Sequence, residues 1–381
     1  MGKRINVALI GLGTVGSGVY EIIRDNACRV AENAGEKMET KYILDIRDFD
    51  DHPEKHLFTK DVNDIINDSE ISVVAEVMGG LHPAYEFTKS LLMSGKSVVT
   101  SNKELVATYG TELLAIAEEK NVNYLFEASV GGGIPVIRPL SRCLAANNIT
   151  RIAGILNGTT NYILYQMFTN NKSFETALSD AQAMGYAERN PAADIEGHDA
   201  CRKIAILSSL ASGVEVDCEK IPTEGIVNIT LDDVKCAEEA GGVIKLIGYA
   251  EFNDGKVYSH VAPMFIRNDN MLSGINDVYN GILVTGDAVG DVMFYGAGAG
   301  KLPTASAVVA DMVDSVIHAS RRKLIGWKAA EGDTVAPFET KKFRYLMRCD
   351  GNGTITEPLT VSECEEMKSK LNAQSAIRVL D

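Results

Sequence analysis

Residues 11–16 read Gly-Leu-Gly-Thr-Val-Gly. They sit between a short apolar run, INVALI at 5–10, and a stretch, VGSGVYEII, that opens a helix. The first glycine permits a tight turn, the second lets backbone approach a pyrophosphate, and the third lets helix and strand pack closely. A helix that starts there offers free N–H groups and a partial positive charge to an anion. Gly11, Gly13 and Gly16, with Thr14 and Val15 between them, are therefore candidate residues of a dinucleotide site.

A hexapeptide alone is weak evidence, and its weight comes from its surroundings. KYILDIR, ISVVAEVMG, KSVVTSN and NYLFEASVGGG read as further strands, whereas PAYEFTKSLLMSG and ELVATYGTELLAIAEEK read as helices. Strands alternating with helices predict a parallel sheet covered on both faces, a Rossmann-type doubly wound α/β domain over residues 1–135. From about residue 136 the pattern changes. TRIAGILNGTTNYILYQMF joins a strand, a turn and a helix, and KVYSHVAPMFI and DVMFYGAGAG read as strands of a separate mixed sheet. This predicts a second, α+β domain over 136–335 and a short C-terminal appendage over 336–381.

The end of the second strand bears on which dinucleotide fits. An acid there holds ribose hydroxyls, and an arginine accommodates a 2′-phosphate. The stretch LDIRDFDD offers Arg47 beside Asp45, Asp48, Asp50 and Asp51. Arg47 favours NADP while the acids oppose its phosphate, so the expected cofactor is NAD(P).

A net charge of −15 argues against nucleic acid or an anionic membrane as partner. The start turns into glycines too early for a signal peptide and no long apolar span follows, so the expected location is the cytoplasm. Seven cysteines are scattered without a C-x-x-C pair, which is neither a disulfide framework nor a zinc site.

The stretch GYAERNPAADIEGHDACRK, 185–203, gathers many ionisable groups just before the apolar IAILSSLASG. With a helix starting near Glu196, Asp199 and Lys203 share one face with the apolar Ile206 and Leu210, while His198, Arg202, Ala205 and Ser209 follow a more polar stripe. An inward-facing acid and lysine are expensive unless paired or functional. Spacing alone is met by a half-buried i,i+4 salt bridge. The preceding loop adds Glu188 and Asp194, and three carboxylates with one ammonium suit a small amino-bearing substrate with a lysine that exchanges a proton.

GLGTVGSG, SNKELVA, EASVGGGIPVIRPL, GILNGTTNYIL, AQAMGYAERNPAADIEGHDACRKIAIL and GAGAGKLPTASAVVAD together resemble the homoserine dehydrogenase family, in order from about residue 5 to 335. The resemblance implies reversible, NAD(P)-linked interconversion of L-homoserine and L-aspartate 4-semialdehyde. It implies Lys203 as proton donor and acceptor, and Glu188 and Asp199 as substrate carboxylates. Asp194 matches a further acid of the site, and Lys103 a lysine near cofactor and substrate. Gly185 and Gly300 match glycines that contact the cofactor from the second domain. EASVGGGIP resembles a monovalent-cation loop, for example for sodium, built from the main-chain carbonyls of Glu127, Val130, Gly132 and Ile134. Such hard oxygens and three glycines suit that ion, although the residues by themselves read as a glycine turn. A homodimer, with a tetramer open, is the expected assembly.

The last forty or so residues start like a regulatory ACT domain and end before completing one, so threonine inhibition of the conventional kind is not expected. Two other readings compete. An aspartate-semialdehyde dehydrogenase would need an activated thiolate, yet Cys201 lies on a different helix face from Lys203. A silent cofactor-binding relative would have no need to keep Lys103, Glu188, Asp199 and Lys203.

Overall fold

Arg4–Ile10 form β1 in a computed structural model that describes residues 4–381. Val7–Ile10 are fully buried, as expected for an apolar run in a sheet covered on both faces. β2 (Lys37–Leu44), β3 (Phe58–Thr59), β4 (Ile71–Glu76), β5 (Ser97–Thr100) and β6 (Tyr124–Leu125) complete a parallel sheet in the order β3-β2-β1-β4-β5-β6. The order reverses between β1 and β4, which are direct neighbours with Ile10 opposite Glu76. In such sheets ligands bind beyond the carboxyl ends of the strands at this switch point.

Helices Thr14–Asp25, Ala84–Met93 and Lys103–Lys120 connect these strands. A Cβ on Gly18 would come within 2.9 Å of Ala305 Cβ, so this glycine permits close packing on helix Lys301–Ile317. That helix shows where the expected boundaries fail. The first unit comprises residues 1–145, 213–215 and 297–329, and the second 146–212, 216–296 and 330–381. Residues 136–145 and 297–329, expected in the second domain, belong to the first. The physical reason is the small-residue face of GAGAGKLPTASAVV, which docks against Gly18. Trp327 then covers Gly110, donating from its ring N–H to Thr111 Oγ1 at 2.9 Å.

The second unit is built on an eight-stranded mixed sheet. Its strands are β7 (Ile149–Ile155), β8 (Gly242–Asn253), β9 (Lys256–Arg267), β10 (Tyr279–Gly286), β11 (Gly290–Ala297), β12 (Tyr345–Cys349), β13 (Asn352–Ile355) and β14 (Ser375–Val379). The order is β11-β10-β7-β8-β9-β14-β12-β13. One face buries Ala153, Ile155, Ile247, Met264, Ile266 and Leu283.

The C-terminal residues are no separate appendage. β14 pairs in parallel with β9, Arg378 opposite Met264, and antiparallel with β12, while Leu380 joins the core of the sheet. Ile377 and Val379 are buried in the period-two pattern of a strand. The segment adds strand, strand, helix (Val361–Lys370) and strand.

Candidate active site

β7 leads through Leu156 and Asn157 into helix Gly158–Asn170. Asn157 caps that helix by accepting from Thr160 N at 2.9 Å, as asparagine at an N-cap does. Its side-chain NH2 then donates outward, to Asp194 Oδ1 at 2.7 Å and to Asp199 Oδ2 at 2.8 Å. Asp194 lies in the short helix Ala192–Ile195, and Asp199 in the first turn of helix His198–Ser212.

Lys203, one turn after Asp199, donates to Asp199 Oδ2 at 2.7 Å and to the Leu156 carbonyl at 2.7 Å. Asp199 is 3% exposed and Lys203 7%. An ion pair this dry survives because neighbouring polar groups replace water. Here Asn157 and a strand-end carbonyl do so. The ammonium and the carboxamide converge on the same carboxylate oxygen, Asp199 Oδ2, which fixes where the charge sits.

The expected stripe is met on its inward side by Asp199, Lys203 and Ile206, all buried, although Leu210 is half-buried. The polar stripe extends for one turn only. His198 is exposed, but Ala205 and Ser209 are buried, and Ser209 donates to the Ala205 carbonyl and accepts from Val216 N at 2.9 Å. A buried hydroxyl with two backbone partners is packing chemistry.

Glu188 stays exposed on the loop after helix Phe174–Ala183, where its carbonyl accepts from Gln182 at 3.0 Å. Among the described bonds its carboxylate does not join the Asp194–Asn157–Asp199–Lys203 chain. Gly185, with φ +76°, turns the chain out of that helix and is exposed. Asn157 was missed in the sequence, although an asparagine between a strand and a helix is a cap signal.

In the first unit Gly11 has φ +94° and donates to the Leu44 carbonyl at 2.8 Å. A Cβ on Gly16 would lie 2.0 Å from the Gly11 carbonyl oxygen, so the turn closes only with glycine there. Gly13 is the N-cap of helix Thr14–Asp25, in which Thr14 and Val15 supply the first turn.

Asp45, past the end of β2, accepts from Leu12 N at 2.8 Å. Arg47 grips the same carboxylate, its Nη2 lying 2.8 Å from Asp45 Oδ2, and also donates to the Leu12 carbonyl at 2.8 Å. The guanidinium bond, helped by the backbone donors, holds the Asp45 carboxyl well below the usual carboxylate range against the cost of burial. Lys103 is the first residue of helix Lys103–Lys120 and is half-buried. Gly300, with φ +122°, is the N-cap of helix Lys301–Ile317 and so lies in the first unit, not the second.

Glu127 and its neighbours form a compact loop in the first unit. The buried Glu127 carboxylate accepts from Val136 N, Ile137 N and Arg138 N at 2.7, 2.8 and 2.9 Å. Its own N–H donates to Asp311 at 2.8 Å. The carboxylate is thus committed to backbone, and the contribution left to Glu127 at an ion site is its carbonyl. Gly132 has φ +53°, and a Cβ on it would fall 2.5 Å from the Gly298 carbonyl. Val130 and Ile134 are buried on either side.

Cys201 is buried and donates to the Cys218 carbonyl at 3.3 Å, and burial pushes its thiol up to about 11. That is the reverse of an activated thiolate at Cys201.

The family model described as homoserine dehydrogenase matches residues 135–313, and that described as homoserine dehydrogenase, NAD binding domain, matches residues 11–127. The homoserine dehydrogenase of Bacillus subtilis (strain 168) is 42% identical over 315 residues, covering 82% of this chain and 72% of that one. A homoserine dehydrogenase crystal structure from Thiobacillus denitrificans superposes with TM-score 0.92 at 35% identity, covering 100% of this chain and 99% of that one. A hyperthermophilic archaeal homoserine dehydrogenase mutant in complex with NADPH superposes with TM-score 0.70 at 27% identity, covering 83% and 98%.

Proposed function

The chain belongs to the homoserine dehydrogenase family, NAD(P)-dependent oxidoreductases, and we propose that its Asp199–Lys203 pair moves the proton of the reaction. A nicotinamide cofactor held at the glycine turn would supply the hydride chemistry between L-homoserine and L-aspartate 4-semialdehyde. Lys203, in its neutral form, takes the hydroxyl proton during oxidation and gives it back in reduction. Asp199 steadies the ammonium that results, and Asn157 keeps Asp199 in register. The observation that carries this reading is the burial of Lys203 with its Nζ 2.7 Å from both Asp199 Oδ2 and the Leu156 carbonyl.

Glu188 and Asp199 hold the substrate amino group, with Asp194 as a further acid positioned through Asn157. The turn Gly11, Gly13, Thr14, Val15 and Gly16 takes the cofactor pyrophosphate, with Arg47, Lys103, Gly185 and Gly300 as further contacts. Arg47 already grips Asp45, so a 2′-phosphate would compete with that carboxylate for the guanidinium. The carbonyls of Glu127, Val130, Gly132 and Ile134 hold a monovalent cation, a reading supported by the commitment of the Glu127 carboxylate to three N–H groups.

The working unit is a homodimer in the cytoplasm. Supporting the dimer, Tyr279 and Tyr295 stack at 5.4 Å on the exposed β10–β11 edge beside Met293. Among the described residues no helix is long and apolar enough to cross a membrane.

The test is formation of reduced cofactor from NAD or NADP in separate assays with L-homoserine, L-serine and L-threonine. Formation with homoserine, and its loss in Lys203→Ala, is expected. Equal turnover of serine, or an active Lys203→Ala, would contradict the assignment.

A further inference from the structure

At the carboxyl edge of the parallel sheet, Leu44, Ile10, Glu76 and Thr100 lie side by side on four adjacent strands. Glu76 stands at the switch point and is fully buried. A carboxyl group in that place must be hydrogen-bonded to be tolerated, and its partners are informative.

Glu76 Oε1 accepts from Met78 N at 2.8 Å, and Oε2 from Thr100 Oγ1 at 2.6 Å. Thr100 Oγ1 in turn accepts from Asn102 N at 2.9 Å. Asn102 caps helix Lys103–Lys120 by accepting from Leu105 N at 3.1 Å, and its NH2 donates to the Gly80 carbonyl at 2.7 Å. The loop after β4 and the loop after β5 are thus closed into one ring, with Glu76 as the shared acceptor. Met78 also lies against the phosphate turn. A Cβ on Gly11 would meet Met78 Cγ at 3.0 Å and Met78 N at 3.3 Å. At the other end of the ring, Lys103 directly follows Asn102 as the first residue of its helix.

We propose that Glu76 is a positioning residue for the dinucleotide. Its carboxylate locks the loops after β4 and β5 against the phosphate turn, and cofactor affinity depends on its accepting both bonds. The inference rests on the assignment of the cofactor to this edge of the sheet.

Burial pushes the Glu76 carboxyl up to about 7, with the bonds from Thr100, Met78 and Asn102 opposing it. Tyr124 of β6 senses it: that hydroxyl is raised by burial first and by the Glu76 charge second. Helices Ala84–Met93 and Lys301–Ile317 also pack on β4 and carry Glu86, Lys89, Lys301, Asp311 and Asp314, none of which perturbs the Glu76 carboxyl. β1 and β5 bring only Ile10 and Thr100 beside it, and neither titrates. Ionised, Glu76 accepts from Met78 and Thr100 together. Protonated, one oxygen becomes a donor, the Thr100 hydroxyl must reverse to accept from it, and both loops are held by weaker, uncharged bonds. Cofactor binding should therefore weaken as pH falls through the neutral range.

The experiment measures NADH and NADPH dissociation constants by nicotinamide fluorescence for the whole chain and for Glu76→Gln, between about pH 6 and about pH 8.5. Thermal melting confirms that both are folded. The original protein should bind roughly threefold to tenfold more weakly at the acid end, the worth of one hydrogen bond. Glu76→Gln should bind weakly throughout and without the slope, because an amide nitrogen cannot accept from Thr100 or Met78.

If Glu76→Gln does not fold, Thr100→Val removes one anchor and should weaken binding, and Thr100→Ser should restore it. Unaltered affinity in the Gln or Val variant, or an unchanged pH slope in Glu76→Gln, overturns the inference. Failure of the original protein to bind either cofactor would instead remove the dinucleotide assignment on which it rests.

Discussion

Lys203 Nζ stands 2.7 Å from Asp199 Oδ2, one helical turn away, and both groups are buried. An i,i+4 pair on an exposed helix surface contributes a few tenths of a kcal/mol. This pair is of another kind. Removing one partner from a buried pair costs about 3–5 kcal/mol, because the other charge is stranded. Variants at either position must therefore be checked for folding before their activity is read.

Asn157 holds Asp194 and Asp199 with the two hydrogens of one carboxamide and caps its own helix with the oxygen. Asn157→Ala should lower turnover with homoserine by about 10-fold or more, because Asp199 loses its second anchor. It should lower stability by about 1–2 kcal/mol through the lost cap. Steady-state rates and urea unfolding on the same preparation check both effects. Unchanged turnover would show that Asp199 needs no support from Asn157.

Gly16→Ala drives a Cβ to within 2.0 Å of the Gly11 carbonyl. The turn must open to admit it, so cofactor affinity should fall by at least about 10-fold, whereas helix content measured by circular dichroism should stay close to the original. Titration of nicotinamide fluorescence is the measurement. Full affinity in the alanine variant would place the pyrophosphate elsewhere.

Much of this was legible in the sequence because it depends on local pattern. The glycine turn, the alternating strands and helices of the first unit and the 198–212 helix follow from spacing. What pattern could not convey is long-range return of the chain. Residues 297–329 come back to the first unit because Gly18 and Ala305 fit together, and β14 slides between β9 and β12 to make the tail part of the sheet. Glu76 was hidden for a related reason. In ISVVAEVMG it reads as an ordinary strand residue, and its role emerges only when Thr100 and Met78 meet it. Asn157 was readable as a cap, but its second task depends on Asp194 and Asp199 arriving from some forty residues away.

His260 of β9 is fully buried among Tyr249, Phe338 and Phe343, with ring centroids at 5.2, 5.1 and 5.1 Å. Burial first, then the Arg378 and Lys341 charges, push its pKa well below the ordinary 6.5. The unfolded chain therefore binds this proton more readily than the folded one. The contribution to stability is complete above the ordinary histidine range and is lost as pH falls below it. Glu76 and Asp311, both raised to about 7 chiefly by burial, act in the opposite sense: their contribution is complete below the ordinary carboxylate range and is lost as pH rises through about 7. His260→Leu removes the histidine part alone. Its melting temperature relative to the original should rise between neutral pH and about pH 5. Parallel curves would mean that His260 is not among the acid-labile groups.

The most direct test of the proton-transfer role is single-turnover reduction of NAD or NADP by L-homoserine in the original protein and in Lys203→Ala. Cofactor affinity and melting temperature would be measured on the same samples. With folding and cofactor binding intact, the rate of reduction should fall by about 10³-fold, the usual worth of a general base. A folded, cofactor-binding Lys203→Ala that reduces cofactor at the original rate would contradict the role assigned to the Asp199–Lys203 pair.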